Sequence, residues 1–294
     1  MSDKKTLKDI ISEIDHRVIS GDVNVPVTHV VWDSRDAAPG GVFIAVEGDI
    51  SDGHSYIEKA MEGGISAVVC DSLRSCLSEE ELIRLSDRYN VPVVEMNETR
   101  TGMAQLSMAL YDHPEKQLKL FGITGTKGKT TSAFMLHRIL QDNGHKAGLM
   151  GTVCNMIGDE KIDADHTTPE APVTYEFLSR LAKNGYDSCV MEVSSLGLKY
   201  LRNYGLNYKA GCFTNLYNDH IGGIEHPDMD DYYNSKLMIF DESETAVVNI
   251  DDEHGQTTLR AAGKCGNVIK YGIVSDDCDL KAYDIKPIDR KSVV

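Results

Sequence analysis

The sequence has few features of a membrane, secreted or disulfide-stabilised protein. No apolar run approaches the ~18 residues that a membrane-spanning helix needs, and the first ten residues lack the apolar stretch of a signal peptide. The seven cysteines are odd in number and include no Cys-x-x-Cys pair, which is typical of reduced thiols. We therefore expect a cytoplasmic protein without membrane insertion.

Basic residues are also scarce. The chain of 294 residues carries 30 lysines and arginines against 46 acidic residues, so its formal net charge is -16. Such a surface repels the phosphate backbone of nucleic acids unless a basic patch intervenes, and the sequence contains no such patch. Nucleic acid is therefore not an expected partner, whereas a nucleotide can still be held by backbone amides and one or two lysines.

Strands and helices alternate along the chain, which predicts an α/β fold in two domains. A small N-terminal α/β domain is predicted over residues 1–113, because a polar segment with a proline at 112–117 separates two patterns. A second α/β domain with a mostly parallel sheet is predicted over 114–288. Its predicted strands are 118–123, 146–150, 188–193, 210–214 and 245–250, and its predicted helices are 129–143, 169–184 and 229–240, with Thr168 as the N-cap of the second helix.

A phosphate-binding loop is predicted at 122–131, where Gly-Ile-Thr-Gly-Thr-Lys-Gly-Lys-Thr-Thr follows an apolar strand and opens a helix. The glycines permit a tight turn, backbone N–H groups face phosphate oxygens, Lys129 reaches the β and γ phosphates, and the Thr130 hydroxyl is a Mg²⁺ ligand. The first glycine stands one position earlier than in the usual Gly-x4-Gly-Lys-[Ser/Thr] pattern. The predicted nucleotide-binding residues are Gly125, Thr126, Lys127, Gly128, Lys129, Thr130 and Thr131.

Several further segments, taken with this loop, resemble the Mur ligase family. Asp33-Ser-Arg35, residues 39–48 and residues 52–57 resemble the UDP-binding N-terminal domain of the MurE type. Five later segments resemble the central ATPase domain of that type, and they are residues 167–169, 191–195, 213–215, 219–220 and 232–236. The resemblance covers residues 31–252, and departures from the family pattern include Lys127, Leu196 and Tyr200.

The resemblance implies an ATP-dependent amide ligase of peptidoglycan precursor synthesis that works through an acyl phosphate. It would add meso-diaminopimelate or L-lysine to UDP-N-acetylmuramoyl-L-alanyl-D-glutamate, with ATP and Mg²⁺, as a monomer. It also implies catalytic roles for Lys129, Glu192, His220 and Lys236, with Thr130, Glu192 and His220 at the metal, and Lys236 carbamylated by CO₂. The implied substrate-binding residues are Ser34, Thr167, Thr168, Ser194 and Arg202.

Without the resemblance, simpler interpretations of these residues stay open. Glu192 can be a surface acid at a strand end, His220 a structural histidine and Lys236 a solvated helix residue. Rival functions are a folylpolyglutamate synthase, a cyanophycin-type ligase and a P-loop regulatory module without ligase chemistry. The first lacks the domain that carries Asp33-Ser-Arg35, and the second carries an additional upstream ATP-grasp segment.

The last six residues, 289–294, break the pattern with no closing element. We expect them to be a non-native tail on a chain truncated before the C-terminal domain that the resemblance implies. We also expect this chain alone to be inactive as a ligase.

Overall fold

The computed structural model describes residues 5–48, 51–71, 73–219, 221–222 and 225–285. The described chain forms two compact units, one from residues up to 114 together with 171–179, and the other from 115–170 and 180 onward. The predicted tail at 289–294 and the predicted site residue His220 lie outside the described residues. None of the described helices combines the length and apolar character that a bilayer crossing requires.

The first unit is an α/β unit around a five-stranded sheet in the order β1-β5-β4-β3-β2. Only β1 runs antiparallel to its neighbour, and the other pairs are parallel. Its elements are α1 (Leu7–Ile11), β1 (Arg17–Ser20), β2 (His29–Val31), β3 (Gly41–Ile44), α2 (Ile57–Glu62), β4 (Ala67–Cys70), α3 (Glu79–Tyr89), β5 (Val93–Glu95) and α4 (Thr99–Leu110).

The central strands of this sheet are buried on both faces, which explains their continuous apolar sequence. Val42 and Ile44 of β3 pack into one core with residues of α1 and α4. The alternate residue Phe43 packs into a second core with residues of α2 and α3. The two-residue period of a strand thus divides one apolar run between two layers of helices.

The second unit is built on a nine-stranded sheet in the order β14-β13-β12-β11-β6-β10-β7-β8-β9. All its pairs are parallel except β7 with β8 and β8 with β9. Its strands are β6 (Lys119–Thr124), β7 (Ala147–Met150), β8 (Asn155–Ile157), β9 (Glu160–Ile162), β10 (Ser188–Glu192), β11 (Tyr208–Phe213), β12 (Thr245–Asn249), β13 (Asn267–Gly272) and β14 (Leu280–Lys281). The helices after α4 are α5 (Lys129–Asp142), α6 (Ala171–Lys183), α7 (Ser195–Lys199), α8 (Met229–Leu237) and α9 (Gly255–Ala262).

The predicted α/β class with mostly parallel sheets is confirmed. All five strands and three helices predicted within residues 114–288 are present, with ends within three residues of the prediction. The predicted N-cap at Thr168 is wrong, because α6 begins at Ala171 with Glu170 as its N-cap. The sequence analysis did not identify β8, β9, β13, β14, α7 or α9.

Candidate active site

Three neighbouring parallel strands end at the same edge of the second sheet and bring the candidate site together. The loop 125–128 follows β6, Glu192 is the last residue of β10, and Thr214 follows β11. Because β10 and β11 flank β6 in parallel register, their carboxyl ends lie on either side of the loop. This edge of an open parallel sheet is where α/β proteins usually bind ligands.

Two glycines give the loop its conformation. Gly125 has φ +141°, and a Cβ there would lie 1.9 Å from Thr214 Oγ1, so neither the backbone angle nor the space admits a side chain. Gly128 has φ +85° and open space around it, so glycine is needed there for the backbone angle and not for lack of space. Gly128 is also the N-cap of α5, whose first N–H groups have no carbonyl of the same helix to bind.

Thr126 and Lys127 are fixed by the segment after β11. The Thr126 amide donates to Asn215 O at 3.0 Å, and the Lys127 amide donates to Asn215 Oδ1 at 2.9 Å. The Lys127 ammonium group forms an exposed ion pair with Asp219 at 2.7 Å. The backbone amides of these two predicted nucleotide-binding residues are therefore occupied by Asn215. The backbone N–H groups in the first turn of α5 are the donors oriented for an anion.

The half-buried Lys129 and the buried Lys236 share one carbonyl oxygen of the loop. The ammonium groups of Lys129 and Lys236 donate to Gly125 O at 2.9 Å and 3.0 Å. Burial lowers the pKa of Lys129, and the charge of Glu192 opposes that shift. Burial, with the nearby charge of Lys129, lowers the pKa of Lys236 to about 7.

Lys236 is only 1% exposed, so its interpretation as a solvated helix residue is wrong.

Glu192 is an internal carboxylate and not a surface acid, since it is only 1% exposed. Its Oε2 accepts hydrogen bonds from the Thr130 hydroxyl at 2.7 Å and the Thr152 hydroxyl at 3.1 Å. Its Oε1 accepts from the Thr152 amide at 2.9 Å. A Cβ on Gly151 would lie 2.2 Å from the same oxygen, so a glycine here makes room for the carboxylate.

This donor set suits a hard divalent cation held mainly by phosphate. Within the described part of the chain no group of three or more His, Cys, Asp or Glu side chains could hold a metal. Glu192 and Thr130 offer two adjacent oxygens, which fits Mg²⁺, because that ion keeps several waters and binds one or two protein oxygens beside substrate phosphates.

Four of the five predicted substrate-binding residues line one cavity of about 260 Å³ beside the loop. Lys129 and Lys236 form part of its wall, and the four residues are Thr167, Thr168, Ser194 and Arg202. The remaining residue, Ser34, lies in the first unit on the short 3-10 helix Ser34–Asp36 that follows β2. The cavity therefore presents three basic side chains and several hydroxyl groups to one space.

Thr168 connects the cavity wall to the end of β10 and does not cap a helix. Its hydroxyl donates to Glu192 O at 3.2 Å and accepts from the Ser194 amide at 2.9 Å. Arg202 donates to Thr168 O at 3.2 Å and forms an ion pair with Glu170 at 2.8 Å. These bonds hold the guanidinium group at the cavity in a fixed orientation.

The sequence analysis missed several residues that shape this site. Thr152 and Asn215 both follow strands that end at the site edge, and that position is a signal that could have identified them. His226 is fully buried, and its ring nitrogens lie 2.5 Å from Asp231 Oδ2 and 2.9 Å from Ser195 Oγ. No spacing rule connects these three residues, because they come from a loop and two helices.

Comparison with known proteins identifies two family models along the chain. Residues 26–111 match the model described as "Mur ligase family, catalytic domain". Residues 123–293 match the model described as "Mur ligase middle domain". The second match alone covers more than half of the chain, and it includes every residue of the candidate site in the second unit.

Similar proteins carry one recurrent name. The chain is 39% identical over 284 residues to UDP-N-acetylmuramoyl-L-alanyl-D-glutamate--2,6-diaminopimelate ligase 1 of Clostridium acetobutylicum, covering 97% of this chain and 56% of that protein. It is 39% identical over 259 residues to the 2,6-diaminopimelate ligase of Clostridium botulinum, covering 88% of this chain and 51% of that protein. The chain spans about half the length of the curated relatives that it matches.

A solved structure of a UDP-N-acetylmuramoyl-L-alanyl-D-glutamate--2,6-diaminopimelate ligase shares the fold. The TM-score is 0.74 at 22% sequence identity, and the match covers 95% of this chain and 54% of that chain.

Proposed function

The chain belongs to the Mur ligase family, and on that premise we propose that the protein containing it is an ATP-dependent amide ligase. Its substrates would be UDP-N-acetylmuramoyl-L-alanyl-D-glutamate and a diamino acid, joined in peptidoglycan precursor synthesis. The names of the relatives favour diaminopimelate over L-lysine as the added amino acid. The predicted cytoplasmic, monomeric state belongs to the same proposal.

One observation carries the proposal. Lys129 belongs both to the loop that we assign to the triphosphate and to the wall of the cavity that presents Lys236 and Arg202. A γ-phosphate seated at α5 and a carboxylate seated in the cavity would therefore be neighbours. Proximity of this kind turns a bimolecular reaction into an effectively intramolecular one.

The first step would activate the acceptor carboxylate. A carboxylate oxygen attacks the γ phosphorus, an O–P bond forms, the bond to the bridging β–γ oxygen breaks, and ADP leaves with an acyl phosphate in its place. Lys129 and the first amides of α5 would face the oxygens on which charge accumulates, and such preoriented donors stabilise a transition state in a site that excludes water. Arg202 would orient the carboxylate through its two-pronged guanidinium group.

The second step would form the amide. The amine nitrogen attacks the acyl carbon, the C–N bond forms, the C–O bond to phosphate breaks, and phosphate leaves. Glu192 and Thr130 are the residues that would hold Mg²⁺, with His220 as the further predicted ligand. The bound ion would offset the negative charge of the β and γ phosphates.

Lys236 is proposed to react with CO₂ and become a carbamate. Only a neutral amine attacks CO₂, and the pKa of about 7 leaves a large neutral fraction of Lys236 at neutral pH. The product would carry a negative charge beside Lys129 in place of a second positive charge. This change would remove the repulsion between two ammonium groups that share Gly125 O.

The nucleotide part of the proposal is tested by Lys129→Ala. We expect the affinity for magnesium-ATP to fall by at least about tenfold, which corresponds to about 1.4 kcal/mol. Lys146→Ala is the matched control, because this exposed lysine precedes β7 at the opposite edge of the same sheet. Isothermal titration calorimetry measures both, and equal affinity of the two variants would contradict the assigned loop.

The ligase part is tested with the complete protein. We expect ADP release that requires UDP-N-acetylmuramoyl-L-alanyl-D-glutamate, and a tripeptide product that mass spectrometry detects with meso-diaminopimelate. Parallel reactions with L-lysine decide between the two amino acids. ADP release that is independent of the acceptor would instead support a P-loop module without ligase chemistry.

A further inference from the structure

A chain of hydrogen bonds leads away from the cavity through Ser195, His226 and Asp231. We propose that this chain is a proton relay, in which Ser195 receives a proton from the incoming amine and passes its own proton to His226. The inference rests on the proposed ligase function, because it supplies the base that amide formation from an ammonium group requires.

The hydrogen bonds fix the direction of the relay. Burial favours the neutral form of Asp231, but hydrogen bonds from Lys199 and His226 outweigh burial and hold the pKa of Asp231 below its ordinary value. An ionised Asp231 only accepts hydrogen bonds, so the proton of a neutral His226 lies on Nδ1, and Nε2 is left as an acceptor. Ser195 Oγ therefore donates to His226 Nε2 across 2.9 Å and keeps its lone pairs for another donor.

Ser195 lines the same cavity as Lys129 and Arg202, together with Glu225. Lys129 and Arg202 suit the anionic partner of the reaction, whereas a serine oxygen with only lone pairs available suits an N–H donor. The cavity thus has one wall for the acyl phosphate and one acceptor group for an ammonium ion.

His226 is enclosed by Tyr232 on one side and bonded to Asp231 and Ser195 through its two ring nitrogens. Its ring is fully buried and packs against Tyr232, with ring centroids 5.0 Å apart. Asp231 Oδ2 lies 2.5 Å from His226 Nδ1, and the Lys199 ammonium group binds the same carboxylate at 2.8 Å. Asp231 is 30% exposed, so the proton has a route to solvent when the product leaves.

The step balances in atoms and charge. The ammonium group gives one proton to Ser195 Oγ while the hydroxyl proton of Ser195 moves to His226 Nε2, which leaves a neutral amine and an imidazolium. The amine lone pair forms the C–N bond, the acyl C–O bond breaks, and the departing phosphate takes the second proton of the nitrogen. The products are an amide, hydrogen phosphate and a protonated His226.

The test separates the two chemical steps in the complete protein. Acyl phosphate is trapped by borohydride reduction in the absence of the amino acid, and amide formation is followed with meso-diaminopimelate. We expect His226→Gln and Ser195→Ala to lower the rate of amide formation by about 10²-fold or more, in the range of general base catalysis. We expect acyl phosphate formation and nucleotide affinity to persist in both variants, which also reports that they fold.

Hydroxylamine supplies the decisive comparison, because it is neutral at the assay pH and needs no base. The relay predicts that His226→Gln forms hydroxamate at the wild-type rate while its amide formation is slow. It also predicts that amide formation by His226→Gln recovers as pH rises, because more of the amine is then neutral in solution.

His145→Gln is the matched control, since His145 forms an exposed pair with Asp187 at 3.3 Å. This control should leave both steps unchanged. Equal losses with hydroxylamine and with the amino acid would show a structural role for His226 and overturn the relay, as would an unchanged rate of amide formation. Failure of the wild-type protein to release ADP with its acceptor would instead refute the proposed function itself, and the relay with it.

Discussion

Replacement of Lys236 by methionine should stabilise the second unit, and the gain should depend on pH. Lys236 is buried with a pKa lowered to about 7, so the folded protein holds its ammonium group at a cost that the unfolded chain does not have. Methionine fills similar space with a flexible apolar side chain and carries no charge at any pH. The variant isolates the cost of burying this one positive charge.

The magnitude follows from the change in pKa. A shift from 10.5 to about 7 corresponds to about 5 kcal/mol, because one pKa unit is worth about 1.4 kcal/mol. Methionine also loses the hydrogen bond from Lys236 Nζ to Gly125 O, which contributes about 1 kcal/mol. Below pH 7 the variant should therefore exceed the wild type in free energy of unfolding by about 4 kcal/mol.

The sign of the pH dependence is fixed by proton binding. Between the folded and unfolded pKa values the unfolded wild type binds more protons, so the stability of the wild type rises with pH in that window. The advantage of Lys236→Met is largest below pH 7, shrinks by about 1.4 kcal/mol per pH unit, and is lost near the ordinary lysine pKa.

Urea unfolding in bicarbonate-free buffer tests this at about pH 6.5 and about pH 9.5. The advantage of Lys236→Met over the wild type in free energy of unfolding should be about 3 kcal/mol smaller at the higher pH. Hydrogen exchange of peptides from β6 and β11 reports on the unit that holds Lys236. Lys146→Met, at an exposed position, should show no such dependence. A difference between Lys236→Met and the wild type that stays constant over this range would refute the assigned cost of burial.

Two further substitutions test the loop and the carboxylate. Gly125→Ala should lower nucleotide affinity by at least about tenfold, because its Cβ would meet Thr214 Oγ1 at 1.9 Å. Gly185→Ala is the control, because Gly185 has φ +72° and open space around it. It should lower the free energy of unfolding by about 1 kcal/mol and leave nucleotide affinity unchanged. An equal loss of nucleotide affinity in Gly125→Ala and Gly185→Ala would contradict the steric argument. Thr152→Val removes the hydrogen bond from the Thr152 hydroxyl to Glu192 and keeps the one from the Thr152 amide. We expect the Mg²⁺ concentration needed for half-maximal ATP binding to rise by about tenfold. An unchanged Mg²⁺ titration would show that Thr152 does not orient the carboxylate.

Much of the second unit could be predicted because its elements are locally determined. Glycine at 125 and 128, between an apolar strand and a helix, predicts the loop from local sequence, since glycine adopts positive φ angles that other residues rarely adopt. The alternation of strands and helices gave the parallel sheet in the same way. The error at Thr168 has a physical cause: its hydroxyl binds Ser194 N and Glu192 O, and these partners are distant in sequence.

The simpler interpretations of Glu192 and Lys236 were wrong for a related reason. Both residue types are normally exposed, so their burial cannot be inferred from neighbouring residues in the sequence. Glu192 is buried because Thr130, 62 positions away, and Thr152 satisfy its oxygens. Lys236 is buried because it reaches Gly125 O across 111 positions.

The sequence by itself determined the fold class, the glycine loop between β6 and α5 and the residues that resemble a ligase site, because these depend on local backbone preferences and on short patterns. Only the tertiary structure decided which side chains are buried, which of them share the cavity, and that Ser195, His226 and Asp231 form one hydrogen-bonded chain. The physical reason is that pKa values and hydrogen-bond partners depend on desolvation and on contacts between segments that are close in space and far apart in the chain.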